Sequence, residues 1–193
     1  MSTKRPPSKR PSGGNQLRII GGQWRGRKLS FPDLEGLRPT GDRVRETLFN
    51  WLSFELPGAH CLDLFAGSGA LGLEALSRGA AHTVLVEKNP SAARQLKNHC
   101  QVLDASADVE EADALCWLQS NNKTFDVVFL DPPFGKGLLE PCCALLAEQN
   151  RLKPDALIYM ECAIEESPMV PAQWQLHREK QSGQVNYRLY RCS

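Results

Sequence analysis

The chain has 193 residues, 41% of them hydrophobic, with a formal net charge of +1; that length supports one domain with a substantial core but not comfortably two, so one fold with an appendage is expected. No apolar run approaches the roughly 20 residues needed to cross a bilayer, and the opening MSTKRPPSKRPSGG lacks the apolar stretch of a secretory signal, so no membrane association and a cytoplasmic location are expected. The seven cysteines (61, 100, 116, 142, 143, 162 and 192) form no C-x-x-C pair and none is spaced from a histidine as in a zinc site, which argues for free thiols and against a metal.

In chain order, charge is the first signal. Residues 1–50 hold eleven Lys and Arg against four Asp and Glu, whereas the other 143 residues hold twelve against eighteen. One end is thus built for a polyanion. Residues 1–16, with four basic residues, three prolines and no apolar period, read as a flexible basic tail. Leu17–Ile20 and Arg27–Phe31 flank Gly21-Gly22-Gln23-Trp24-Arg25-Gly26, which predicts a β-hairpin with an arginine-rich tip. Arg38-Pro39-Thr40 leads into a helix on which Val44, Leu48, Trp51 and Leu52 share one face, with Arg43, Arg45 and Asn50 elsewhere. Such a helix docks inward and shows its arginines outward. Arg25, Arg27, Lys28, Arg38, Arg43 and Arg45 are therefore candidates to grip nucleic-acid phosphates.

From His60 onward strand and helix alternate: CLDLF, LGLEALSRG, TVLVE, a helix capped by Asn89 with Pro90 at its first position, FDVVFLD, LLEPCCALLAEQ and ALIYMEC. Buried apolar strands separated by helices specify an α/β fold, a parallel sheet covered on both faces. The end differs. WQLHREK, SGQ and VNYRLYR read as two strands about a short turn, so the last strand is expected to run antiparallel to its neighbour.

Asp63-Leu64-Phe65-Ala66-Gly67-Ser68-Gly69-Ala70-Leu71-Gly72 places a strand, a glycine turn and a helix start in sequence, a cradle that lets backbone approach a ligand. Gly67-x-Gly69-x-x-Gly72 with Glu87 twenty positions on also fits a dinucleotide site, so the turn alone is ambiguous. Asp63 decides: a carboxylate at the strand end repels a pyrophosphate but suits a nucleoside carrying an ammonium and a sulfonium. The absence of Gly-Lys-Ser/Thr excludes a P-loop. Candidate cofactor contacts are Asp63, Phe65, Ala66, Gly67, Ser68 and Gly69, with Glu87 and Lys88 at the next strand end, where the Glu87 carboxylate suits two ribose hydroxyls. Asp113 and Ala114 fall at the following strand-to-helix turn, where the carboxylate either accepts from an adenine amino group or caps the helix; the roles are compatible.

Phe125–Leu130 runs into Asp131-Pro132-Pro133-Phe134, and the prolines end the strand and fix the direction of its carbonyls. An exocyclic amine is a weak nucleophile because its lone pair is delocalised into the ring. Hydrogen bonds to the Asp131 carboxylate and the Pro132 carbonyl would orient that amine and favour its pyramidal form, with Phe134 stacked on an extruded base. Asp131 is also a candidate for the released proton. Asp131, Pro132, Pro133 and Phe134 are the candidate catalytic residues.

The D-x-F-x-G-x-G loop and the D-P-P-F turn together resemble those of amino-methyltransferases with the Rossmann-like seven-stranded methyltransferase fold. More closely, Arg18–Gly22, Trp24–Leu29, Arg38–Thr40 and Asp42–Asn50 resemble the N-terminal region of the RsmD family of bacterial 16S ribosomal RNA guanine-N2 methyltransferases. The likeness spans about residues 17–191, and no motif departs in a way that implies an inactive relative. It implies S-adenosylmethionine as cofactor, a guanine N2 amine as acceptor, and small-subunit RNA on an assembling particle as partner. Residues 17–56 would contact RNA, residues 57–193 would form the methyltransferase domain, and a monomer is the default. The alternatives are N6-adenine methylation of DNA or RNA, glutamine methylation on a protein, which the basic N-terminus disfavours, and a non-catalytic RNA-binding assembly factor. The three acids Asp63, Glu87 and Asp131 argue against the last, since a pure binder has no use for them beside RNA.

Overall fold

The computed structural model describes residues 15–31 and 41–192. Of the basic segment expected over 1–16, Asn15 and Gln16 already belong to a strand; the rest of that segment, and Arg38, lie outside the described residues.

Strands β1 (Asn15–Arg18) and β2 (Lys28–Phe31) pair antiparallel, with Leu17 opposite Leu29. Bonds from Ile19 N–H to Arg27 O at 2.9 Å and from Gly26 N–H to Ile19 O at 2.8 Å carry the pairing on to the tip, which is why the expected strands reach one or two residues further. Helix α1 (Asp42–Trp51) follows, and Val44, Leu48 and Leu52 are buried as its periodicity predicts.

The rest is a seven-stranded sheet. Its elements in chain order are β3 (His60–Asp63), α2 (Gly72–Ser77), β4 (His82–Glu87), α3 (Pro90–Leu103), β5 (Ala107–Glu111), α4 (Ala114–Ser120), β6 (Phe125–Leu130), α5 (Leu139–Glu148), β7 (Leu152–Ala163), β8 (Trp174–Ser182) and β9 (Val185–Cys192). The strand order is β5-β4-β3-β6-β7-β9-β8, with β3 to β7 parallel and β9 antiparallel to both neighbours. The expected antiparallel last strand is present. Successive strands step outward from β3 first through β4 and β5, then in the other direction through β6 and β7. The crevice beyond the carboxyl ends of β3 and β6 is therefore the switch point where such sheets bind ligands.

Side chains alternate across the sheet. Cys61, Leu85, Val127, Phe129, Leu157 and Tyr159 face a core completed by α1, α2, α3 and the hairpin, including Leu17, Ile19, Trp24 and Leu29. Leu62, Leu64, Val84, Val86, Val128, Leu130, Ile158 and Met160 face a second core closed by α4 and α5. Burial on both faces explains the apolar strand runs. No helix among the described residues is long and apolar enough to cross a membrane.

Candidate active site at the strand ends

Register brings the acids together. Asp63 ends β3 opposite Leu85 of β4 and Phe129 of β6, so Glu87 and Asp131 each lie two residues beyond its partner on the flanking strands. Three carboxylates thus occupy the ends of three adjacent strands. Glu87 in turn pairs with Glu111, and Ala112 N–H donates to Glu87 O at 3.2 Å, which brings Asp113 to the same rim.

The glycine turn is shaped by packing. Gly69 has φ +82°, and a Cβ there would lie 2.7 Å from Leu96 Cδ2. A Cβ at Gly72 would run into Leu85 Cδ2, so this position lets α2 close on β4. Ala66 N–H reaches Val86 O at 2.9 Å, fixing the turn against the β4 end. Ala66, Ser68 and Gly69 are buried, while Phe65 and Gly67 are half-buried.

Glu87 ties the turn to the next helix. Its Oε2 accepts from Gly67 N–H at 2.8 Å and its Oε1 from Asn89 N–H at 2.7 Å. Each oxygen keeps a second lone pair for a ligand hydroxyl. Lys88 beside it is exposed. Asn89 caps α3 through Ser91 and Ala92 N–H, with Pro90 at the first position as expected. Asp113 caps α4, its Oδ1 accepting from Leu115 N–H at 3.0 Å and Cys116 N–H at 3.2 Å; its side chain is exposed and Ala114 is buried.

Asp63 is placed deeper than a direct ligand contact requires. It is 1% exposed, and its Oδ2 accepts from Gly72 N–H at 2.9 Å, beneath the turn. Burial pushes its carboxyl up to about 7; the Gly72 bond opposes this, and the Asp131 and Glu87 charges add to the rise. Because the unfolded chain ionises this group near its ordinary value while the fold keeps it protonated, the fold loses stability as pH rises from about 4 to about 7. Melting curves are therefore expected to show Asp63→Asn gaining on the parent across that window, with a constant difference above it. A difference that is flat from pH 4 to 8 would mean the carboxyl is not destabilised by burial.

At the end of β6, Asp131 is half-buried, Pro132 buried and Pro133 exposed, and Phe134 is 43% exposed. The turn continues through Gly135 and Gly137 into α5 and borders an open cavity of about 200 Å³ lined by residues 132–140 and 166–168. Glu166 braces it, with Oε1 accepting from Gly135 N–H at 2.8 Å and Oε2 from Ala163 N–H at 3.1 Å. Sequence reasoning did not find Glu166, because nothing in the spacing links the loop after β7 to the turn after β6.

The basic residues divide. Arg25, Arg27, Lys28 and Arg43 are exposed. Arg45 is a correction: its side chain is 1% exposed and bonded to Asp42 at 2.6 Å, Glu74 at 3.5 Å and Arg18 O at 3.0 Å. It was expected to point outward because periodicity cannot show that α2 supplies a buried acid opposite it; with that partner the guanidinium belongs to the core.

Among known proteins, the family described as Conserved hypothetical protein 95 matches residues 17–191. Ribosomal RNA small subunit methyltransferase D of Escherichia coli K12 is 55% identical over 181 residues, covering 93% of this chain and 91% of that protein. The solved structure of the Escherichia coli yhhF protein is 52% identical with a TM-score of 0.87, covering 92% of this chain and 98% of the other. The Thermus thermophilus 16S rRNA N2 G1207 methyltransferase, solved with AdoMet and guanosine, is 20% identical with a TM-score of 0.66 and covers 99% of this chain and 53% of its own; at that identity it speaks for the fold alone.

Proposed function

As a member of the Conserved hypothetical protein 95 family, the chain belongs with the RsmD methyltransferases, and on that premise we propose that it moves a methyl group from S-adenosylmethionine to the N2 amine of a guanine in small-subunit ribosomal RNA. The observation that carries the reading is the alignment of Asp63, Glu87 and Asp131 on three adjacent strand ends, beside the Asp131–Phe134 turn and its cavity. A cationic cofactor suits the rim of Asp63 and Glu87, where burial, with the Asp131 and Glu87 charges adding to it, pushes the Asp63 carboxyl up to about 7. The remaining lone pairs of Glu87 suit a pair of ribose hydroxyls, and Asp113 at the same rim suits an adenine amino group.

When bound, S-adenosylmethionine would supply a methyl group on a sulfonium, whose sulfur leaves as a neutral thioether as the amine takes the methyl. The rest is positioning by this chain. Glu87 holds the glycine turn and the ribose, and Asp63 stabilises the turn from beneath. The Asp131 carboxylate and the Pro132 carbonyl accept hydrogen bonds from the guanine amine, which directs its lone pair towards the methyl group, and Phe134 stacks on the base. Asp131 takes the proton the amine releases. Guanine rather than adenine rests on the N-terminal segments that resemble RsmD, since the turn accepts either amine.

Residues 17–56 contact RNA and residues 57–193 form the catalytic domain. The protein acts as a monomer in the cytoplasm, without a metal, on an assembling small subunit. Incubation with methyl-labelled S-adenosylmethionine and either protein-free 16S RNA or small subunits lacking the modification tests this reading. Label is expected in RNA in at least one arm; none in either would overturn it.

Arg25, Arg27, Lys28 and Arg43 supply the exposed charge that meets phosphates. Each contact releases counterions, so log affinity is expected to fall with log salt by roughly 0.7–0.9 per contact. Replacing Arg25, Arg27 and Lys28 together by alanine should flatten that slope and raise the RNA KM, with cofactor affinity unaltered. A slope identical to the parent's in a salt titration would leave these charges to solubility alone.

A further inference from the structure

Two side chains of α2 that take no part in the site above hold the connecting loop of the N-terminal hairpin. The Glu74 carboxylate is fully buried and accepts Ile20 N–H at 2.8 Å on one oxygen and Gly21 N–H at 2.7 Å on the other. Arg78 at 2.7 Å and Arg45 at 3.5 Å neutralise it. At the helix end, Ser77 Oγ accepts Trp24 N–H at 3.0 Å and donates to Gly21 O at 2.6 Å, and Gln23 N–H donates to Ser77 O at 2.8 Å. The backbones approach so closely that a Cβ on Gly22 would run into the Ser77 carbonyl.

Apolar burial of Ile19 and Trp24 also holds the hairpin against the core, but it is non-directional. Charge-assisted bonds donated to a buried carboxylate fix orientation, at a cost in desolvation that packing alone would avoid. The fixed end is close to the chemistry: α2 begins at Gly72, whose N–H is held by Asp63, two residues before Glu74. Further along the loop and at the start of β2, Arg25, Arg27 and Lys28 are exposed.

We infer that Glu74 and Ser77 are positioning residues that hold the basic hairpin tip in a set orientation to the cofactor turn, so that RNA seated on the tip delivers its target base to Asp131. The inference rests on the reading of the tip as an RNA grip. Three cations ordered beforehand engage one polyanion without a further ordering cost, whereas a released loop has to be ordered on binding, which weakens RNA affinity without touching the reacting groups.

The test uses initial rates with small-subunit RNA as the varied substrate for Ser77→Ala, Glu74→Gln and the triple variant Arg25→Ala/Arg27→Ala/Lys28→Ala. Ser77→Ala and Glu74→Gln are expected to raise the RNA KM by about three- to tenfold, with a salt slope nearer the parent's than the triple variant's because the three cations are still there to meet phosphates. Their kcat at saturating RNA and their cofactor affinity should match the parent's. A merely structural role would lower the melting temperature and the active fraction, cutting kcat without moving KM; that pattern in Ser77→Ala overturns the inference. Ser77→Ala leaves the buried charges paired, so it decides the matter should Glu74→Gln fail to fold. The triple variant separates the two failures. A raised KM in the triple variant with a parental KM in the other two overturns the positioning role alone, whereas parental KM values in all three overturn the RNA grip as well.

Discussion

Asp131→Ala is expected to lower kcat by about 10²-fold or more while leaving cofactor affinity within about twofold of the parent. The side chain lies past the end of β6, next to the rigid Pro132-Pro133 turn, where its carboxylate would meet the substrate amine. Without it the amine keeps one acceptor, the Pro132 carbonyl, and loses both its orientation and the group that takes its proton. Asp131→Asn separates these functions: it retains an acceptor but no base, so an activity well above that of the alanine variant would assign most of the effect to orientation. Single-turnover rates with the cofactor pre-bound give the comparison directly. Parental turnover in Asp131→Ala would remove this residue from the reaction.

The second large effect is expected at Glu87. Glu87→Ala should weaken S-adenosylmethionine binding by about 1–3 kcal/mol, the usual value of a hydrogen bond to a charged group, or roughly 5- to 150-fold in Kd. Two losses contribute. The ribose hydroxyls lose their acceptor, and the Gly67 and Asn89 N–H groups lose the carboxylate that joins the glycine turn to the start of α3. Glu87→Gln keeps one acceptor and should fall between. Calorimetric titration measures this, and unchanged affinity in both variants would place the ribose elsewhere.

Much of this arrangement is legible in the sequence because its signals are local. A strand, a glycine turn and a helix start are contiguous from Asp63 to Gly72, and the Asp131–Phe134 turn follows an apolar strand without interruption. What escapes is what depends on distant partners. Strand β5, Ala107–Glu111, has no apolar run because it is the half-exposed edge of the sheet, so only the turn after it was visible. Arg45 looked like a surface cation until α2 set Glu74 against it. Glu74 itself is an acid in a helix whose residues 72–77 are all buried, with partners that come from the hairpin and α1, and Glu166 reaches the Asp131–Phe134 turn from the loop after β7. Asp63 was legible as a candidate site residue but not in depth, since its position beneath the turn comes from the closeness of α2 to β4 at Gly72.

The central claim is that this turn presents the N2 amine of guanine to the methyl group. It is tested most directly by digesting small-subunit RNA after transfer from methyl-labelled S-adenosylmethionine and separating the labelled nucleosides. The account predicts label in N2-methylguanosine, lost with Asp131→Ala. Label in N6-methyladenosine would contradict it.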